Sequence, residues 1–291
     1  MNIAGIEYEK PTAILLQDSG VGVAEYAART CYDSFENSEN ECVKEFNRLI
    51  EVEEPNEYIF AHTKNDLNRI DSSDLLSSLA WVHHHHSIIE HATVSYLVKG
   101  TSRGVLQEHA RHRIQAISVR STRYTMQNIL YMFISCFQAI DGKNWFINKI
   151  RSTEMFVVKA NTEILEISHM YEKLLNHMIV LGKDNFTELM LSKTSLKIYE
   201  QSEGWSCDQL LNKLITEGKS KRNVGDPFKY LVTDNWKVDM VVTFNIRSLK
   251  NYFDLRDSGA AWFQIQWLAE AMKEVTPVKY LKLIDKKYKT L

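Results

Sequence analysis

The alternation of apolar and polar positions is cleanest at Thr93–Lys99 (TVSYLVK), where Val94, Tyr96 and Val98 fall on one face and predict a strand with one buried side. Val238–Phe244 (VDMVVTF) is a second strand candidate. Helical spacing governs much of the rest. Ser19–Tyr32 reads as a helix in which Ala24, Ala27 and Ala28 permit close packing, and Asp74–Trp81 resumes the same period. Thr101 or Ser102 is placed to cap a helix that carries Val105, Leu106 and His109 on one side. Met155–Leu181 is the longest helical stretch. Ser248–Arg256 and Ala260–Val275 are helices, the second with Trp262, Ile265, Leu268, Ala269 and Met272 in one stripe, the signature of a core face.

Two segments break the pattern. Residues 33–73 are polar and acidic, with Glu51, Glu53 and Glu54, and read as a surface excursion holding a short helix near Cys42–Ile50. Residues 184–226 read as an irregular second insertion, with Lys219, Lys221 and Arg222 between Gly218 and Gly225. Internal repeats are absent.

Composition narrows the class. The chain has 291 residues, 44% hydrophobic and 25% charged, which is ordinary for a globular protein with a large core. A formal charge of -2 excludes a basic coat for gripping duplex DNA. The longest apolar run, Ile129–Phe137, is far short of the roughly 20 residues that a membrane span needs. The start, MNIAGIEYEKP, lacks a basic stretch followed by an apolar one, so no signal peptide is expected. Cys31, Cys42, Cys136 and Cys207 are widely spaced without a CxxC, which fits reduced thiols in a cytoplasm.

Three segments carry candidate chemistry. Arg111–Tyr124 (RHRIQAISVRSTRY) packs Arg111, Arg113, Arg120 and Arg123 among Ser118, Ser121 and Thr122. A guanidinium fork bonds two phosphate oxygens at once, so this composition suits an organic phosphate or a dinucleotide. His83–His91 (HHHHSIIEH) is rich in imidazole, yet neither HExxH nor a spaced pair with a third ligand is evident. Phe244–Arg256 (FNIRSLKNYFDLR) places Asn245, Arg247 and Asn251 at a strand-to-helix transition, where free N–H groups attract anions. Neither GxGxxG, GxxxxGK[ST] nor GxSxG occurs.

Taken together, these segments resemble the flavin-dependent thymidylate synthases of the ThyX type. Arg111-His112-Arg113, seven residues and then Ser121 match the family fingerprint, and Arg123-Tyr124 follows. His85, four intervening residues and then Glu90-His91 fit the upstream motif. Asn245-Ile246-Arg247-Ser248-Leu249-Lys250-Asn251, ending in Leu255-Arg256, fits the downstream one, and Ala27-Ala28-Arg29 the early one. The match is discontinuous and spans roughly residues 12 to 275. Departures are Glu108 where many members have Gln, Lys229 for an Arg, Thr233 for a Pro, and Val119 at an often polar position.

The resemblance implies a mixed α/β (α+β) single domain, a small sheet flanked by long helices, with insertions at about 33–73 and 184–226 and assembly as a homotetramer with shared active sites. It implies dTMP synthesis from dUMP with methylenetetrahydrofolate as carbon donor, and FAD reduced by NADPH as hydride source. Carried over, FAD falls to His85, Arg111, His112, Arg113, Ile114, Val119, Asn245, Arg247 and Asn251. The dUMP site falls to Glu108, Arg111, Val119, Arg120, Ser121, Thr122, Arg123, Lys229 and Arg256, with Arg256 also stabilising charge on the uracil. No metal, nucleic acid or membrane is implied. Two rivals stand beside this reading: a metal-dependent hydrolase built on the histidine run, and a nucleic-acid-binding module built on the arginines.

Overall fold

The computed structural model describes residues 2–3, 6–52, 56–121, 158–159, 193–217 and 234–289. The chain divides into two compact units. The larger consists of Pro11–Lys99, Gln107–Ser118 and Asp239–Leu291. The other consists of Met1–Lys10, Gly100–Leu106 and Val119–Val238.

In the larger unit a four-stranded sheet runs in the order β3 (Thr12–Asp18), β4 (Thr93–Ser102), β7 (Lys237–Asn245) and β5 (Ala116–Val119). β3 and β4 are antiparallel, from Thr12 opposite Lys99 to Asp18 opposite Val94, with a bulge between Leu15 and Gln17. Val94, Tyr96 and Val98 are fully buried on one face of β4, as the alternation requires. Val242 and Phe244 of β7 are equally buried. Ser95 and Thr243 join these two central strands with a hydroxyl–hydroxyl bond of 2.8 Å.

Helices cover this sheet. α9 (Phe263–Val275) lies on β3, and packs also on α8 (Ile246–Arg256). Ile265, Leu268, Ala269 and Met272 are buried as the stripe predicts. Trp262 is not part of it. It precedes the first helical turn, which turns its ring away from the stripe, and it is 38% exposed. α10 (Val278–Ile284) packs on α4 (Asp74–Trp81), and the Trp81 indole donates to the Lys282 carbonyl at 2.7 Å. Tyr96 and Tyr280 bury their rings and satisfy their hydroxyls on Thr276 and Asp18.

The polar 33–73 segment is more ordered than its composition predicts. It holds two helices, α2 (Glu41–Ile50) and α3 (Glu57–Leu67). Each has a narrow apolar contact, with Val43 and Leu67 buried. The segment returns onto the start of α1 (Gly22–Tyr32) so closely that a Cβ on Gly22 would lie 1.9 Å from the Leu67 carbonyl oxygen. Gly20, at φ +70, makes the turn and faces the Asn68 carbonyl in the same way. The carboxylate of Glu25, buried in α1, accepts from Ser38 and Asn40 at 2.5 Å. A buried carboxylate needs such partners, so these bonds fix the entry to the segment.

The other unit contains a small antiparallel sheet of β1 (Asn2–Ile3), β2 (Ile6–Tyr8) and β6 (Val158–Lys159). The helix expected over 155–181 is therefore a strand at Val158–Lys159, because these residues pair with Tyr8 and Glu7; the rest of that stretch lies outside the described residues. The 184–226 stretch is not irregular where described. It holds α6 (Lys193–Glu200) and α7 (Cys207–Glu217), which pack together and bury Ile198, Leu210 and Leu214. The helix predicted after Ser102 is α5 (Arg103–His109), and the Ser102 hydroxyl caps it by accepting from the Val105 amide at 3.1 Å. No helix among the described residues is long and apolar enough to cross a membrane.

Candidate functional site

α8 starts where β7 ends. The Asn245 side chain accepts from the Ser248 amide at 2.8 Å and caps the helix, while the Ile246 amide donates to the Ala92 carbonyl. These bonds hold the positive end of α8 beside the turn Ile88–His91 that leads into β4. The segment after α5 then approaches α8 along its length. Between them lies a cavity of about 600 Å³, with Arg111, His112, Arg113 and Ile114 on one wall and Arg247, Ser248, Asn251, Leu255 and Arg256 on the other, and Glu90 at its edge.

Four guanidiniums thus meet one lining carboxylate. Arg247 pairs with Glu90 in a half-exposed bridge, worth little in stability. Arg111 and Arg113 have no carboxylate partner among the described residues. Arg256 donates from Nε to His112 Nε2 at 2.9 Å and from Nη1 to Glu108 Oε2 at 3.0 Å. Burial and the neighbouring Arg256 charge hold the His112 ring below its ordinary pKa. That ring is neutral at pH 7 and accepts at Nε2, because an arginine only donates.

Behind the cavity sits a buried aromatic block. His109 has no exposed surface and its Nδ1 is bonded to the Tyr252 hydroxyl at 3.1 Å. Burial above all, and then His112 where acid protonates it and the Arg256 charge, push its pKa down to about 4. Burial likewise raises the Tyr252 phenol. The His112 ring meets Tyr252 edge-on at 4.8 Å between centroids.

The structure therefore gathers Arg111, His112, Arg113, Ile114, Arg247, Asn251 and Arg256 from the expected set. Glu108 reaches the same place through Arg256 without lining the cavity. Asn245 spends its side chain on the helix cap. His85 is bonded to the Tyr32 hydroxyl at 2.9 Å and does not line the cavity. Val119 ends β5, with Arg120 and Ser121 next, and all three belong to the other unit. Thr122, Arg123 and Lys229 lie outside the described residues. Sequence reasoning did not single out Ser248 or Leu255 as lining groups, although both stand inside the quoted motif. The His83–His86 run forms no cluster of metal ligands among the described residues, and His86 donates to the Ala80 carbonyl at 3.0 Å.

The comparisons with known proteins follow the same lines. A flavin-dependent thymidylate synthase of Helicobacter pylori is 25% identical over 263 residues, 90% of this chain and 92% of that one. One from Wolinella succinogenes is 23% identical over 269 residues, 92% of this chain and 95% of that one. Among solved structures, thymidylate synthase X from Helicobacter pylori with FAD and dUMP is 24% identical, covering 96% of this chain and 99% of that chain at a TM-score of 0.53, which supports the fold. Residues 15–278 match the family described as thymidylate synthase complementing protein, a match across most of the chain that includes both walls of the cavity: the chain belongs to that family.

Proposed function

We propose that this chain is a flavin-dependent thymidylate synthase, which methylates dUMP reductively to dTMP with methylenetetrahydrofolate as carbon donor and NADPH as reductant. The observation that carries the reading is the convergence of Arg111, His112 and Arg113 with Arg247, Asn251 and Arg256 on one cavity, from segments more than 130 residues apart. A cation-rich cavity beside a helix N-terminus suits polyanionic ligands.

The donor set fits FAD. Arg111, Arg113 and Arg247 would hold its diphosphate, with His112, Ile114 and Asn251 beside them, and His85, Val119 and Asn245 follow from the family motifs. Once bound, FAD supplies the hydride that protein side chains cannot. Arg256 would face the uracil and stabilise negative charge as it develops on the ring. For dUMP, Arg111, Arg120, Ser121 and Arg123 would neutralise and bind the phosphate, with Val119, Thr122, Lys229 and Glu108 near the nucleotide. Ser121 acts as a ligand and not as a nucleophile, since its neighbours Arg120, Thr122 and Arg123 include no base.

The assembly is a homotetramer with shared sites, since Arg111–Tyr124 and Asn245–Arg256 carry more ligand groups than one small pocket uses. The stretches at about 33–73 and 184–226 are additions to a single catalytic domain. A cytoplasmic setting is supported by the wide cysteine spacing, with Cys31 and Cys42 present as free thiols.

The test is spectroscopic and chemical. Purified protein, as isolated or after addition of FAD, is expected to show flavin absorption and quenched flavin fluorescence. It should also form dTMP from dUMP, NADPH and methylenetetrahydrofolate. Protein that binds no added FAD would sink the reading. Light scattering is expected to give four chain masses, and a fully active monomer would remove the shared site.

A further inference from the structure

We infer that Glu108 is a positioning residue which, with His112, fixes the guanidinium of Arg256 before substrate arrives. The inference rests on the role of Arg256 proposed above and goes beyond it. Arg256 stands in the last turn of α8, where a long flexible side chain would otherwise sample many rotamers. Here it is held from two sides. Its Nε donates to His112 Nε2 at 2.9 Å, its Nη1 to Glu108 Oε2 at 3.0 Å, and its Nη2 points to the Glu108 carbonyl oxygen at 3.5 Å.

Three of the five N–H hydrogens are directed at two residues four positions apart, so the plane of the guanidinium is set and two hydrogens remain for a ligand. The holders are themselves held. Glu108 lies in α5, and the His112 ring rests edge-on against Tyr252, whose hydroxyl is bonded to buried His109. Tyr252 has no exposed surface, so the block cannot yield without opening the core. The neutral state of His112, favoured by its burial and by the Arg256 charge, keeps its Nε2 lone pair available.

This arrangement also resolves the chemistry of a carboxylate so close to an anion site. An unpaired Glu108 would repel a nucleotide phosphate. Paired with Arg256 and absent from the cavity wall, it acts on the cation and not on the ligand.

The experiment compares Glu108→Ala with Glu108→Gln in the full-length protein. The amide oxygen of Gln still accepts from Nη1, so orientation survives while charge is lost. Glu108→Ala is expected to lower kcat for dTMP formation by about 10-fold with a smaller change in KM for dUMP, as a misplaced catalytic group does. Glu108→Gln is expected to recover kcat to within about 3-fold of wild type. Crystal structures of both variants supply a readout independent of turnover: the Arg256 guanidinium ordered in Glu108→Gln and spread over several positions in Glu108→Ala. Normal kcat in Glu108→Ala, equal loss in both variants, or an unmoved Arg256 in Glu108→Ala would each overturn the inference. If the wild-type protein forms no dTMP, the role of Arg256 fails, and the crystallographic comparison alone decides whether Glu108 positions it.

Discussion

α8 separates two clefts that differ in how far their charges are balanced. On one face Arg247 and Arg256 join Arg111 and Arg113 around the 600 Å³ cavity, with Glu90 as the one lining carboxylate. On the other, Lys250, Asp254 and Asp257 join Lys273, Asp285, Lys286 and Lys287 around a cleft of about 380 Å³. There the charges answer each other within the chain. Lys250 pairs with Asp254, and Lys273 lies between Asp257 and Asp285. A cleft whose four lysines face three aspartates exerts less net pull on an anion than one with four arginines and a single lining carboxylate. A cleft with surplus guanidinium groups is incomplete until an anion enters it. We propose that the same helix has a ligand face and a scaffold face, distinguished by whether its charges are already spent.

The largest expected effect is on the ligand face. Arg256→Ala removes a fixed positive charge from the place where the uracil would gain negative charge. Turnover is expected to fall about 100- to 1,000-fold. Flavin absorption should persist, because Arg111, Arg113 and Arg247 remain. Steady-state dTMP formation, with the flavin spectrum as control, checks this. Near-normal turnover would erase the distinction between the two faces.

Acid sharpens the comparison, since the two faces fail in different pH windows. His109 behind the ligand face has its pKa lowered to about 4, mainly by burial, against an ordinary value of 6.5. The unfolded chain therefore binds a proton between those values that the folded chain refuses. Stability rises with pH across this window, and is lost as pH falls from 6.5 towards 4. The loss amounts to about 3 kcal/mol. Asp285 on the scaffold face has its pKa lowered from 3.8 by its bonds to Lys273 and the Lys287 amide, which outweigh burial. Its contribution is present above 3.8 and disappears only below it. Urea unfolding as a function of pH should show the first loss flattened in His109→Gln and the second untouched. An unchanged slope between pH 6.5 and 4 in that variant would remove His109 as its source.

Much of this arrangement was legible in the sequence because it is local. Val94, Tyr96 and Val98 declare their buried face by alternation alone. FNIRSLKNYFDLR declares a capped helix with cations at its start. What remained hidden depends on contacts distant along the chain. Nothing near Glu108 indicates that its partner is Arg256, 148 positions away. The order of the 33–73 segment is not readable from its pattern, because much of its attachment is backbone against backbone at Gly20 and Gly22, which leaves no apolar periodicity. Trp262 has the helical spacing of the core stripe but stands just before the helix begins.

Lys273 tests whether the scaffold face is only a scaffold. Its side chain is 16% exposed, its ammonium is paired with two carboxylates, and those bonds raise its pKa against the opposing effect of burial. Lys273→Ala would leave Asp257 and Asp285 facing each other across a partly dry cleft. The expected cost is about 1–3 kcal/mol in urea unfolding, with kcat and KM for dUMP unchanged. A kinetic change as large as the stability change would mean that the two clefts communicate through α8.

The smallest effect is the sharpest contrast, because it separates adjacent residues. Lys250 and Asn251 are neighbours on α8, turned about 100° apart by the helix. Lys250 enters the scaffold cleft, where it pairs with Asp254 one turn on at 2.6 Å; Asn251 enters the ligand cavity. The Asp254 carboxylate is largely exposed, so the pair is screened by water and contributes about 0.3–0.5 kcal/mol. Lys250→Ala should therefore shift unfolding by no more than that, less still at high salt, and leave FAD affinity as in wild type. The Asn251 side chain makes no hydrogen bond among the described residues, so the cost of Asn251→Ala should appear in FAD affinity by fluorescence titration. If Lys250→Ala weakened FAD binding as much as Asn251→Ala, the charge on the scaffold face would be reaching the ligand through the helix, and the division of α8 into two independent faces would be wrong.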